Sequence, residues 1–162
     1  MTRFSIATLF AALAFTQAAN AAVLNEVNIS TADAQQLATA TVAACQAKGY
    51  NVSAAVVDRS GLLKAFARAD NAGPHTIEAS QAKAFTSAST RAPTLAIMEN
   101  AQKNAGAANL TDIPGFLLLG GGVPVKAGDA VIGAIGVAGA PGGHLDAQCA
   151  NETLAANVAL FK

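Results

Sequence analysis

Residues 115–140 read GFLLLGGGVPVKAGDAVIGAIGVAGA. Three consecutive glycines, Gly120 to Gly122, separate two apolar runs, and Gly133, Gly136 and Gly139 interrupt the second run. A phosphate-cradling loop is one explanation; architecture is the other. A Walker loop needs G-x-x-x-x-G-K-[ST] between a strand and a helix. A dinucleotide loop needs G-x-G-x-x-G opening a helix. Here strand-like sequence, VPVKAGDAVIG, follows the triple glycine, and GAIGVAG lies inside an apolar run. Both nucleotide readings fail on context. Gly120–Gly122 reads as a chain reversal or bulge with positive φ. The later glycines let another backbone or a flat ligand come close.

The rest of the chain supplies the elements around this stretch. Ser30 is an N-cap signal, and Ala34, Leu37, Ala38, Val42 and Cys45 recur at helical spacing before Gly49, so a helix is expected over 31–48. NVSAAVVDRSGLLKAFARAD reads as a hairpin, with strands 52–57 and 62–69 and the turn at DRSG. In its second strand Leu63, Ala65 and Ala67 share one face, and Lys64, Phe66 and Arg68 the other. Helices follow Pro74 and Pro93, and AGAANLTDIPG is a loop. Strands are expected near 115–119, 123–126 and 129–138. A final helix carries Leu154, Val158 and Phe161 on one stripe. The order α-β-β-α-α-β-β-β-α predicts an α/β (α+β) domain, with a central antiparallel five-stranded sheet flanked by helices. The first and last helices would cover one face together.

Residues 1–21, MTRFSIATLFAALAFTQAANA, carry a basic Arg3, an apolar run and a small-x-small ending at Ala19 and Ala21. That is the pattern of a cleaved signal peptide, and the run is too short for a membrane span. The alternative, a buried amphipathic helix, lacks a polar face. The expected mature chain, 22–162, is one exported domain with no membrane span, periplasmic or secreted. Without Arg3 it holds nine basic and ten acidic side chains, which argues against nucleic acid as a partner. The two cysteines, Cys45 and Cys149, permit a disulfide in an oxidising compartment. The competing reading is two separate buried small residues.

The segment GGGVPVKAGDAVIGAIGVAGAPGGHLDAQCA closely resembles the C-terminal signature of the haem-degrading/HbpS-like family, which includes GlcG-type proteins. VVDRSGLLKAFARADNAG and AKAFTSAS resemble its earlier segments, V-V-D-x-x-G-x-L-x-x-x-x-R-x-D and K-A-x-T-A. Asn71 stands where the family usually has Gly, and Ser87 replaces the Ala of K-A-x-T-A. The resemblance implies a profilin-like α/β/α domain, a homo-oligomer, and haem (heme), tetrapyrrole or iron binding for scavenging, storage or sensing. Corrinoid or small hydroxy-acid links occur in some branches. An enzyme of haem breakdown and a ligand-free accessory subunit are the alternatives.

The candidate haem ligand is His75, in the first turn of the helix after Pro74. Its imidazole can bind haem iron, with Arg68 and Lys83 as partners for carboxylates; a solvated histidine and a solvated lysine are the plainer readings. Met98 offers a thioether, although a core methionine explains it as well. His144, Asp146 and Cys149 could be imagined around a metal, but their spacing spreads them over the helix. Asp146 more simply caps the last helix. No catalytic constellation is present: G-x-S-x-G is absent, and no carboxylates are paired at a useful spacing.

Overall fold

The computed structural model describes residues 23–161; the signal-peptide expectation therefore lies outside the described residues. Helix α1 (Thr31–Gln46) is capped by Ser30, whose hydroxyl accepts the Asp33 N–H. Strands β1 (Ser53–Asp58) and β2 (Leu63–Arg68) form the expected hairpin. At its turn Asp58 Oδ1 accepts the N–H groups of Ser60 and Leu62, each at 2.9 Å. Helices α2 (His75–Thr90) and α3 (Thr94–Lys103) follow. Residues expected as a loop, Ala105–Asp112, wind into a 3-10 helix started by the Asn104 side chain, which accepts the Gly106 N–H. Strands β3 (Gly122–Ala127) and β4 (Ala130–Ala138) and helix α4 (Gly143–Ala156) complete the domain.

The sheet is antiparallel but has four strands, in the order β2-β1-β4-β3, not five. The missing strand is 115–119. Its apolar side chains suit a strand, yet its backbone is served elsewhere. The Leu117 N–H donates to Thr86 Oγ1 at 2.8 Å, and the Leu119 carbonyl accepts from Thr94 Oγ1 at 2.6 Å. Threonines on α2 and α3 take the place of a neighbouring strand.

Helices lie on both faces. On one side α1 and α4 cover Ala54, Val56, Ile135 and Val137, with Leu37, Ala38 and Ala150 between. Ala65 and Ala67 of β2 face this cluster and Phe66 the other, as expected, but Leu63 does not join them: past a register irregularity it pairs with Val57 and stands on the α2 side. Cys45 and Cys149 are bonded there, with Cα atoms 5.6 Å apart. The stripe expected at the C-terminus divides. Helix α4 stops at Ala156, a 3-10 turn holds Val158–Phe161, and Phe161 is buried while Val158 is exposed.

On the other side α2 lies against Ala55, Val57 and Ala134. Its inward residues are small, Ser80, Ala84, Ser87 and Ala88, so the helix comes unusually close. A Cβ on Gly136 would stand 2.0 Å from the Ser80 carbonyl oxygen and 2.5 Å from the Ala84 nitrogen. Gly136 therefore makes room for the backbone of α2, not for a flat ligand.

Candidate functional site

The beginning of α2 is pinned from below. Arg68 donates through Nη2 to the Ala72 carbonyl and closes the loop that leads into the helix. Pro74 at the N-cap already has helical torsions. Thr76 is buried, its hydroxyl 2.6 Å from the Gly73 carbonyl and 2.7 Å from the Ser53 hydroxyl of β1. These bonds hold the first turn to the sheet and leave His75 exposed.

His75 stands at a rim shared by two cavities. One, of about 240 Å³, is lined by His75, Ala79, Lys83, Leu119, Ala140 and Asp146, together with Ala138, Gly139 and Gly143. The other, of about 360 Å³, is lined by His75, Glu78, Ala79, Ala82, Gly115, Phe116 and Leu117. Helix α2 contributes the small residues Ala79 and Ala82, and the irregular segment 115–119 contributes the apolar wall.

Lys83, two turns beyond His75, forms part of the first cavity and is 4% exposed. It is not the solvated lysine that its sequence context suggests. Its Nζ donates to Asp146 Oδ2 at 2.8 Å and to the Val137 carbonyl at 3.0 Å. Asp146, in the first turn of α4, does not cap the helix amides as expected. Its other oxygen accepts the Ala140 N–H at 2.9 Å. The pair thus ties α2 to the end of β4 and the start of α4. Burial pushes the Asp146 carboxyl above its ordinary value of 3.8, outweighing the downward pull of Lys83 and of the Ala140 N–H.

The triple glycine passes directly under this pair. Gly121 has φ +124°, and a Cβ there would meet the Val137 oxygen at 2.5 Å, Asp146 Cβ at 2.9 Å and Lys83 Cδ at 3.1 Å. The reversal expected from the sequence is present, and its purpose is to admit a buried ion pair.

The structure brings His75 and Lys83 together on one cavity. Arg68 lines neither cavity and is anchored to the Ala72 carbonyl. Met98 is half-buried on α3 and lines neither cavity, so it is not a core methionine. The imagined metal set fails: Cys149 is in the disulfide, His144 is exposed, and no group of three or more His, Cys, Asp or Glu among the described residues could hold a metal ion. Sequence reasoning missed Leu119, Ala140 and the Lys83–Asp146 partnership. One signal was present, since Lys83 shares helical spacing with the small residues Thr76, Ser80 and Ser87. A lysine on such a buried face needs an acid, but spacing alone does not select Asp146. No helix among the described residues is long and apolar enough to cross a membrane.

The model of the haem-degrading HbpS-like protein family matches residues 29–155. Protein GlcG of Escherichia coli (strain K12) is 38% identical over 107 residues, covering 64% of this chain and 78% of GlcG. The crystal structure of a Streptomyces reticuli HbpS double mutant aligns with a TM-score of 0.77 and 41% identity, covering 90% of this chain and 97% of that one. A PduOC:heme complex aligns with a TM-score of 0.73 over 80% of this chain and 95% of its own; at 24% identity that likeness is one of fold. With a family match across most of the described domain and the same fold in HbpS, this chain belongs to the HbpS-like haem-degrading protein family.

Proposed function

We propose that this chain is exported, loses residues 1–21, and binds haem through His75 as a scavenging, storage or sensing protein. The observation that carries the reading is His75 itself: an exposed imidazole at the shared rim of two cavities walled by Ala79, Ala82, Phe116, Leu117 and Leu119. An imidazole is an ordinary axial donor to haem iron, and a flat apolar macrocycle needs walls of this kind. The smaller cavity alone lies below the range of about 300–1,000 Å³ usual for organic ligands, so a ring would use both sides of His75. The residues fit the group. The family description points the same way, and PduOC, which shares the fold, carries heme in its crystal structure. Arg68 and Lys83 are the proposed partners for the haem carboxylates. Lys83 has one N–H to offer beyond those given to Asp146 and Val137.

Titration of the purified domain with hemin is expected to give a saturable, shifted Soret band at about one haem per chain. His75→Ala is expected to weaken binding about tenfold or more, a factor of ten being about 1.4 kcal/mol, and to move the band. His144→Ala serves as the control and changes neither. An unchanged band in His75→Ala would remove His75 as the ligand. A featureless, non-saturating rise in the wild type would overturn haem binding itself.

Export and assembly are read by native mass spectrometry of protein collected from the periplasm or medium. The expected species is a homo-oligomer of chains that begin at Ala22, forming the single domain 22–162. A chain that retains Met1–Ala21, or a monomer at every concentration, would contradict the respective proposal.

A further inference from the structure

A third cavity, of about 420 Å³, opens between the β1–β2 turn, α2 and the chain at Pro114–Gly115. Its body is apolar: Val57, Leu62, Leu63, Phe85 and Pro114. Two polar side chains stand at it, Glu78 and Gln81. Both offer acceptors. Glu78 makes no hydrogen bond or ion pair among the described residues, as the contacts of α2 show. Gln81 gives one N–H to the Ile77 carbonyl at 3.3 Å, which leaves its carbonyl oxygen and its second N–H.

Most nearby backbone donors are already committed; the Gly115 N–H, at the cavity wall, has no partner among the described residues. The N–H groups of Ser60 and Leu62 go to Asp58 Oδ1, that of Gly61 to the Asp58 carbonyl, and that of Phe116 to the Ile113 carbonyl. An anion would therefore meet a bare carboxylate and find few donors. A cation would meet a carboxylate in a cavity that also holds an aromatic ring, Phe85, two helical turns further along α2. Gly61 and Gly115 also line the cavity and pack against that ring: a Cβ on them would come to 2.9 Å and 3.2 Å of its carbons. A cation within about 6 Å of the ring is attracted by its quadrupole.

We infer that this cavity binds an organic ammonium ion, its positive nitrogen at Glu78 and its apolar substituent against Phe85, Leu62 and Leu63. Glu78, Ala82 and Gly115 line this cavity and the second His75 cavity alike, so the test is made on the haem-free domain.

The test is an NMR titration of the ¹⁵N-labelled, disulfide-intact domain with benzyltrimethylammonium, benzyl alcohol and benzoate: one ring with a cationic, a neutral and an anionic head. Saturating amide shifts are expected at Gly61, Leu62, Leu63 and Gly115. The ammonium should bind about fivefold tighter than the alcohol, the weight of one exposed ion contact, and benzoate should not bind. Glu78→Gln alters an exposed, unpaired side chain, so the fold is retained; it should bring the ammonium down to the affinity of the alcohol. Leu62→Ser, at a side chain 67% exposed, should weaken both. Equal affinity for the three heads, no saturation up to about 10 mM, shifts at His75, Ala79 and Leu117 without any at Gly61, Leu62 and Leu63, or an unchanged ammonium affinity in Glu78→Gln would each overturn the inference.

Discussion

Lys83→Met is expected to destabilise the domain by about 3–5 kcal/mol, the usual result of removing one partner from a buried ion pair. The Lys83 side chain is 5% exposed and that of Asp146 4%, so water cannot replace the lost contact. The Asp146 carboxylate would keep the Ala140 N–H but lose its cation, and the Val137 carbonyl would lose a donor. Combining Lys83→Met with Asp146→Asn should recover most of the loss, because an amide still accepts from Ala140 and carries no charge. Urea denaturation of the four proteins gives the cycle. If the double variant is as unstable as Lys83→Met alone, the packing of the lysine stem matters and the charge does not.

The same variant carries a pH signature. Burial raises the folded-state pKa of Asp146 above 3.8. The native protein therefore holds that proton more tightly than the unfolded chain does. Stability from this group is present below 3.8 and is lost as pH rises through the folded value. Lys83 is what pulls the carboxyl downward, so its removal extends this window to higher pH. The penalty of Lys83→Met should be smallest near about pH 4 and grow towards neutral. A penalty that does not vary with pH would show that Asp146 is not the group left exposed to the change.

The second large effect is that of the disulfide. Replacing both Cys45 and Cys149 with alanine should cost about 4–5 kcal/mol, the chain-entropy figure for a bridge spanning 104 positions. Alanine is preferred to serine because both positions are fully buried and a hydroxyl there would lack a partner. The urea midpoint should fall, and the m-value should rise as the unfolded chain expands. A loss below about 1 kcal/mol would mean that Leu37, Ala38 and Ala150 hold α1 and α4 to the sheet without help. Domains are stable by only about 5–15 kcal/mol, so either change would take a large share.

Elements governed by near neighbours were legible in the sequence. The hairpin at 52–69 follows from alternation and an aspartate-led turn, and α1 from its cap and period. The antiparallel layering and the nearness of Cys45 to Cys149 follow from putting the first and last helices on one face. The segment 115–119 was misread because an apolar run reports burial and not who supplies the hydrogen bonds; Thr86 and Thr94 are far away in sequence. Lys83 was misread for the same reason, since its partner lies 63 residues on. The triple glycine was correctly judged architectural, but the pair that requires it became visible only when α2, β4 and α4 were assembled.

The strand order has a consequence in time. The first strand made, β1, sits in the interior of the sheet, and one of its two neighbours is the last strand made: Ser53 pairs with Ala138. Until the ribosome has delivered Ala138, the β1–β2 hairpin has only α1 and α2 against it and lacks the β4–β3 half of the sheet. Long-range pairing of this kind also slows folding. For the export proposed above, such lateness is useful. A chain that cannot close its sheet while it is being made stays thin enough to be threaded through a narrow pore.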